Sequence, residues 1–111
     1  MTDALLRFRE NRDWEQFHNP KDQFLGLALE AAEVLEMAQW KDGEVLEEHL
    51  KQHHEELADE LADVLSWVLL IAHDRRIDLA AAFDRKLVKN AQKYPVELSR
   101  GKATKYRDLK P

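Results

Sequence analysis

The chain has 111 residues, of which 44% are hydrophobic and 35% are charged, and its formal net charge at pH 7 is −5. This length suits a single domain, residues 1–111, that can bury a hydrophobic core, and with only 3 Gly and 3 Pro the composition predicts an all-α fold. The absence of cysteine excludes disulfides and thiolate metal sites, and the longest apolar run, Val64–Ala72, is far shorter than the about 20 residues of a membrane span.

The N-terminal segment predicts an amphipathic helix over about residues 3–17, with Thr2 as its N-cap. No apolar run follows a basic patch there, so we expect no signal peptide and a cytoplasmic protein. Asn19 is a favourable N-cap and Pro20 a favourable first helical residue, which predicts that a second helix begins at this point.

The second helix is apolar almost all the way round from Phe24 to Trp40, and only Glu30, Glu33 and Glu36 interrupt it. A helix that is apolar on all sides is buried on all sides. Because 111 residues can hardly surround one helix completely, an oligomer is expected. The segment Lys41–Gly43 is predicted to end this helix.

A third helical region is predicted over residues 44–73, polar at first and apolar from Leu57 onward. Its first part should therefore be solvated or separated by a break. Glu60 and Asp63 fall on the stripe that Trp67 continues, so these acids extend the apolar stripe instead of lying opposite it.

Asp78 is expected to cap a fourth helix over Leu79–Lys93, which Tyr94 and Pro95 then end. The residues expected to face inward are Ala82, Phe83, Leu87 and Val88. Residues 96–111 are predicted to form an irregular tail. The C-terminal segment is basic, since residues 85–111 contain 2 acidic and 9 Lys or Arg residues. Such a segment could supply phosphate ligands, bind nucleic acid, or simply be solvated.

Two acidic pairs lie on these apolar helices, Glu30 with Glu33 and Glu60 with Asp63. A spacing of three residues places both acids of a pair on one helical face. Carboxylates in apolar surroundings are costly unless they bind a cation or are otherwise paired. Oxygen-only ligands select hard cations, so the pairs predict a Mg²⁺ or Mn²⁺ site, although solvated helix faces are the plain alternative.

Two other metal sites fit the sequence less well. A di-iron carboxylate bundle needs Glu-x-x-His on two helices, and the chain has this spacing only at Glu15 and His18. His49, His53 and His54 could bind Zn²⁺, although a solvated helix face explains them better.

Several aromatic side chains could line a nucleobase pocket by stacking or could simply pack in a core. The pattern favours the core for Trp67, whereas Trp14 and Trp40 lie near helix ends, where pocket walls are common. The candidates are Trp14, Phe17, Trp40, Trp67 and Tyr94.

The order of several short motifs is more specific than any one of them. They are Arg12-Asp13-Trp14-Glu15-Gln16-Phe17-His18 followed by Pro20, then Glu30-x-x-Glu33, Gln39-Trp40-Lys41, Glu60-Leu61-Ala62-Asp63-Val64 and Asn90-x-x-Lys93-Tyr94-Pro95. This series, within residues 5–109, resembles the MazG-like nucleoside triphosphate pyrophosphohydrolases, and among them the small dCTP pyrophosphatase branch.

The resemblance implies an all-α fold of four or five helices, assembled as a dimer or as a dimer of dimers, which is a homotetramer. It implies Mg²⁺-dependent hydrolysis of dCTP, or of a related or modified dNTP, to the monophosphate and pyrophosphate, as in nucleotide pool sanitation. It implies no membrane and no stable nucleic-acid complex. The alternative is a non-enzymatic helical oligomer that binds nucleotide or a protein partner through its basic tail.

The resemblance also implies roles for individual residues. The metal ligands would be Glu30, Glu33, Glu60 and Asp63. The catalytic base would be Glu33 or, as a second choice, Glu36. Nucleotide contacts would come from Trp14, Glu15, Gln16, Phe17, His18, Trp40, Trp67, Asn90, Lys93 and Tyr94. The tail would act as a lid or an arm to another subunit, with the candidates Arg100, Lys102 and Lys105.

The chain departs from the dCTP-preferring members at two positions. The first helix lacks their pocket histidine, near which Leu5 or Leu6 would fall. Trp67 stands where they tend to have a tyrosine, which replaces a hydroxyl by a bulkier ring with a donor only. The missing histidine argues against strict cytosine specificity.

Overall fold

The structure, a computed structural model, describes residues 1–109, except for the side chain of Tyr106. All secondary structure in this part of the chain is helical, which confirms the all-α prediction. The α-helices are α1 (Thr2–Asn11), α2 (Pro20–Glu36), α3 (Gly43–Gln52), α4 (His54–Asp74), α5 (Leu79–Lys93) and α6 (Val96–Ser99). Short 3-10 helices occupy Glu15–Phe17 and Tyr106–Asp108. Among residues 1–109 no helix combines the length and apolar character that crossing a membrane requires.

The chain divides after Arg76 into two compact units, called here the first and the second unit. In the first unit α2 packs mainly on α4, and α1 and α3 also contact α4. Leu70 and Ala72 of α4 are buried in this unit, and so are two polar side chains, Arg9 of α1 and Gln23 of α2. The interior of the first unit therefore contains polar groups that need partners.

The first predicted helix, residues 3–17, is divided by a turn. α1 ends before Asp13, which adopts a left-handed conformation with φ of 53° that a short polar side chain tolerates. The chain then continues as a 3-10 helix, so the prediction of one continuous helix was wrong. Thr2 is not the N-cap, because the Leu5 N–H already bonds the Met1 carbonyl at 3.2 Å and places the cap at Met1.

The start of α2 is as predicted, whereas its end comes earlier. Pro20 is the first helical residue, and Asn19 Oδ1 accepts a hydrogen bond from the Asp22 N–H at 2.9 Å. The helix was expected to run to Lys41–Gly43. The N–H groups that follow α2 instead reach back only three residues, and Trp40 adopts φ of 66°, so the chain tightens and turns away.

The later helices follow the prediction closely. A break at His53, with φ of −112° and ψ of 36°, separates α3 from α4, which is one of the two alternatives expected for residues 44–73. α5 covers the predicted range, and Asp78 Oδ1 accepts the Ala81 N–H at 3.1 Å. The expected irregular tail contains α6, because the Ser99 N–H bonds the Pro95 carbonyl at 2.9 Å. Residues 110–111 of that tail lie outside the described residues.

The apolar faces of α2 and α5 are less buried in one chain than predicted. α2 contacts its unit mainly through α4, so Leu29 and Leu35 remain 67% and 71% exposed. On α5 only Ala82 of the four residues expected to face inward is half-buried, and more than half of each other side chain is exposed, namely Phe83, Leu87 and Val88. Burial on all sides was therefore wrong for the single chain, and the expected oligomer remains a prediction.

Candidate functional site

The two acidic pairs form one cluster between α2 and α4. Each of four side chains offers a carboxylate oxygen, and these oxygens all lie within 4.8 Å of one another. Within a pair the spacing of three residues turns both acids to one helical face, and the packing of α2 on α4 brings the two faces together. The members of this acidic cluster are Glu30, Glu33, Glu60 and Asp63.

The negative charges of the acidic cluster repel one another unless a cation or bound protons neutralise them. Hydrogen bonding with Glu33, burial and the neighbouring carboxylates raise the pKa of Glu60 from its ordinary 4.5 to about 7. Burial, a hydrogen bond with Glu33 and the nearby charges also raise the pKa of Glu30. The Oε2 atoms of Glu30 and Glu60 are buried without a hydrogen-bond partner. Orphaned carboxylate oxygens of this kind fit a divalent cation, so the cluster could hold a metal ion.

A cavity of about 280 Å³ adjoins the acidic cluster in the first unit. Asp63 belongs to both, so a ligand in the cavity reaches the carboxylates directly. The walls are mainly aromatic and apolar, with few polar groups, as expected for a small-molecule site. The lining residues are Leu5, Phe8, Arg9, Trp14, His18, Asp63, Ser66, Trp67 and Leu70.

Trp67 occupies this cavity wall because Gly26 leaves room for it. A Cβ atom on Gly26 would lie 2.5 Å from Trp67 Cε2 and 2.6 Å from Trp67 Cζ2, so the indole fills the space of the missing side chain. The indole also lies next to the His18 ring, with centroids 5.2 Å apart and planes tilted by 55°. The ring planes of Trp67 and His18 are thus held in one arrangement.

A partly buried polar network adjoins the cavity through Arg9. Arg9 donates two hydrogen bonds to Asp74, from Nη1 to Oδ2 at 2.7 Å and from Nη2 to Oδ1 at 3.0 Å. Gln23 Nε2 donates to the same Oδ2 at 2.7 Å, and His73 Nδ1 lies 2.9 Å from Oδ1. Chiefly because of the Arg9 hydrogen bonds, and against the effect of burial, the pKa of Asp74 lies well below its usual range.

Arg9 also reaches His18, whose Nδ1 lies 3.3 Å from Arg9 Nη1. Burial and the positive charge of Arg9 lower the pKa of His18, while Asp74 and Glu15 oppose this effect weakly. Both effects favour the neutral form of the His18 ring.

Several predicted site residues lie outside the cavity and the acidic cluster. Glu36 faces a different surface beside Leu35, and Trp40 is 94% exposed after α2. Glu15, Gln16 and Phe17 follow one another in the exposed 3-10 helix, where Gln16 Nε2 bonds Asp13.

The remaining predicted residues belong to the second unit. Asn90 and Lys93 lie on α5, Tyr94 is its C-cap, and Lys93 lines a separate cavity of about 440 Å³ there. The basic candidates Arg100, Lys102 and Lys105 follow α6 in the same unit.

The two alternative metal sites are not formed in the described part of the chain. His49 and His53 stack with ring centroids 4.1 Å apart, and His53 Nδ1 contacts the His49 carbonyl at 2.9 Å. Among residues 1–109 the acidic cluster is the one group of three or more histidine and carboxylate side chains whose ligand atoms are close enough to share an ion, and neither Glu15 nor His18 belongs to it.

A comparison with protein families shows where these features belong. The profile of the MazG-like family matches residues 26–109, three quarters of the chain. The chain belongs to the MazG-like family. The matched range contains the whole acidic cluster and Trp67, whereas Arg9, Trp14 and His18 precede it.

Individual relatives agree with this MazG-like assignment. The dCTP pyrophosphatase 1 of Bos taurus is 41% identical over 106 residues, which are 92% of this chain and 62% of the relative. The dCTP pyrophosphatase 1 of Homo sapiens is 38% identical over 115 residues, covering 92% of this chain and 61% of the relative. The chain thus spans about three fifths of these relatives. A pyrophosphatase from Archaeoglobus fulgidus has a crystal structure that superposes with a TM-score of 0.79 at 37% identity, covering 84% of this chain and 87% of that one.

Sequence reasoning missed the buried network of this MazG-like chain. Arg9 and Asp74 are 65 positions apart, so no local spacing connects them. One signal was present, since Arg9 lies four residues after Leu5 and therefore falls on the apolar stripe of α1. A charged residue on an apolar stripe predicts a buried partner of opposite charge.

Proposed function

We propose that the chain is a divalent-cation-dependent pyrophosphohydrolase that converts a deoxynucleoside triphosphate and water into the monophosphate and pyrophosphate. One observation carries the proposal, namely that Asp63 joins a four-carboxylate cluster to an aromatic cavity. The cluster suits a phosphate-bound cation and the cavity suits a base, so one substrate can span both. The MazG-like relatives described as dCTP pyrophosphatases support dCTP, or a related or modified dNTP, as the substrate.

The cavity supplies the means to hold a base. Trp14, His18 and Trp67 contribute flat ring faces, and base stacking on such faces is worth about 1–3 kcal/mol per base. A volume of about 280 Å³ lies just below the about 300 Å³ at which pockets for whole drug-sized ligands begin. The cavity is therefore sized for a base, with the sugar and phosphates extending toward Asp63.

The acidic cluster supplies the site for the cation. Its donor set consists of carboxylate oxygens, which favours Mg²⁺, with Mn²⁺ as a substitute. When bound, the ion would polarise a phosphoryl oxygen and lower the pKa of an attacking water. Glu33 is the preferred base, because it belongs to the acidic cluster, whereas Glu36 lies outside it.

The other residues implied by the resemblance are assigned to the nucleotide as part of the same proposal. The resemblance assigns Trp40 and the 3-10 helix to contacts with the nucleotide, and it assigns Asn90, Lys93 and Tyr94 to the motif associated with the phosphates. The basic tail would act as a lid or an arm. A dimer or a dimer of dimers would cover the exposed apolar faces of α2 and α5. A cytoplasmic location and a task in nucleotide pool sanitation remain predictions.

The proposal is tested by product analysis on a panel of dNTPs with Mg²⁺. Release of pyrophosphate and dNMP in equal amounts, lost when EDTA is added, is the expected result. Release of orthophosphate alone, or no turnover of any triphosphate, would overturn it. The non-enzymatic alternative predicts nucleotide binding without a divalent ion and no pyrophosphate, so the same assay separates the two.

A further inference from the structure

The proton on His18 is determined by its neighbour. An arginine side chain has donors only, so the Nη1 of Arg9, 3.3 Å from His18 Nδ1, requires a lone pair on that nitrogen. A neutral imidazole with a lone pair on Nδ1 carries its hydrogen on Nε2. His18 is thus fixed as a hydrogen-bond donor through Nε2.

Arg9 is held too firmly to release this constraint. Its side chain is 5% exposed, and both terminal nitrogens are bonded to the Asp74 carboxylate. Gln23, which is 1% exposed, bonds the same carboxylate and leaves it no freedom to turn. A bidentate ion pair fixes the orientation of the guanidinium relative to the carboxylate.

The donor on His18 is free for a ligand. Within residues 1–109 the Nε2 atom has no hydrogen-bond partner, and it is not buried. The ring lies in the cavity wall and is tilted against Trp67. The Ser66 hydroxyl of the same wall donates its hydrogen to the Ala62 carbonyl at 2.8 Å, so it faces a ligand as an acceptor.

We propose that Arg9 is a positioning residue that presents His18 Nε2–H to the base, so that the cavity selects nucleobases with a carbonyl oxygen at this point. This inference rests on the proposed function, since it concerns which triphosphate that site accepts. A base with hydrogen in place of the carbonyl leaves the donor unpaired and binds more weakly. Arg9 acts through His18 and need not contact the substrate itself.

The first test needs no variant. Long-range ¹⁵N–¹H correlation spectra of the full chain at pH 7.5 assign the protons on the His18 ring. The expected spectrum shows hydrogen on Nε2 only. Hydrogen on Nδ1, or a mixture of the two tautomers, would overturn the proposal regardless of any activity.

The second test compares two substrates in three proteins. The substrates are dCTP and the triphosphate of the 2-aminopyridin-5-yl C-nucleoside. This neutral analogue keeps the six-membered ring, the ring nitrogen and the amino group of cytosine, but it carries hydrogen in place of the carbonyl oxygen. In the unaltered protein the analogue should show a KM about tenfold higher, with kcat within about twofold, as expected for one lost hydrogen bond. Arg7→Met is a matched control at an exposed arginine of α1, and it should show the same ratio of about ten between the KM for the analogue and the KM for dCTP.

Arg9→Met should raise the KM for dCTP to that for the analogue, so that the ratio of the two falls to about one. If Arg9 had a merely structural role, Arg9→Met would change the KM for dCTP and the KM for the analogue by the same factor. The ratio of the two KM values would then stay at about ten, and this result would overturn the proposal. Equal KM values for the two substrates in the unaltered protein would also overturn the proposal. Turnover of dCTP without the expected ratio rejects this inference alone, whereas no pyrophosphate from any triphosphate rejects the proposed function as well.

Discussion

Gly26 is a residue whose missing side chain shapes the candidate site. It lies inside α2, where replacing glycine by alanine normally stabilises a helix by about 1 kcal/mol. Here the added Cβ would lie 2.5 Å from the Trp67 ring, which real contacts do not allow. Packing and helix propensity therefore oppose each other at this position.

Gly26→Ala should destabilise the protein by about 1–3 kcal/mol, because the Trp67 ring must leave its position. In the background of Trp67→Tyr, whose smaller ring leaves room, the same change should be neutral or stabilising. Urea unfolding of the four proteins measures both effects. A gain in stability from Gly26→Ala in the unaltered background would show that the close approach is not real.

Asp63 is the residue that links the acidic cluster to the cavity. Asp63→Asn should lower kcat/KM by about two orders of magnitude, as expected for loss of a group that stabilises the transition state. It should also raise the melting temperature without metal, because one of four mutually repelling carboxylates is removed.

Asp59→Asn is the matched control, since Asp59 is an exposed acid on the same helix outside the cluster. It should leave both activity and melting temperature nearly unchanged. Full activity of Asp63→Asn would mean that the metal site has been assigned to the wrong residues.

At the scale of elements, the packing of α2 on α4 forces like charges together. The pKa of Glu60 is raised to about 7 in the folded protein, against 4.5 in the unfolded chain. Between these values the folded state binds more protons than the unfolded state, so stability falls as pH rises. The lowered pKa of Asp74 has the opposite sign, but its effect lies at lower pH, below the ordinary 3.8 of an aspartate. The lowered pKa of His18 also opposes the Glu60 effect, below the ordinary 6.5 of a histidine, whereas the raised pKa of Glu30 adds to it.

Without divalent metal the melting temperature should therefore fall as pH rises from about 4.5 to about 7. Mg²⁺ or Mn²⁺ should reverse this trend, since the cation binds the ionised carboxylates and displaces their protons. Thermal unfolding in EDTA and in excess Mg²⁺ across this range measures both slopes. In Glu60→Gln the melting temperature without metal should change much less with pH. An unchanged dependence on pH would show that another group titrates in this range.

At the scale of the whole molecule, the single chain leaves large apolar side chains exposed on two helices. Leu25 and Leu29 follow each other at a spacing of four on α2 and are 49% and 67% exposed. Contiguous apolar surfaces of this kind mark protein interfaces. The exposed residues of α5 add a second such surface.

Light scattering after size exclusion should therefore give a mass of two or four chains. Leu29→Lys should shift this mass toward one chain, because a charge in the interface lacks a partner. The control Val45→Lys replaces an exposed apolar residue on the mainly polar helix α3 and should not change the mass. A single-chain mass for the unaltered protein at all concentrations would exclude the oligomer.

The sequence by itself determined the features that depend on local chemistry. Asn19, Pro20 and Asp78 begin their helices as predicted, because caps act on N–H groups only two or three residues away. The two acidic pairs were also predictable, since a spacing of three places each pair on one face. The motif order was enough to indicate the MazG-like family.

Tertiary structure alone decided which of these features meet. Three contacts depend on how α1, α2 and α4 cross. The acidic cluster meets the cavity at Asp63, Arg9 forms an ion pair with Asp74, and the Trp67 ring packs against Gly26. Leu29 and Leu35 of α2 were expected to be buried and are exposed, because a periodic pattern shows which face is apolar but not what covers it. Spacing along a helix fixes directions, whereas distances between helices arise only when their side chains pack.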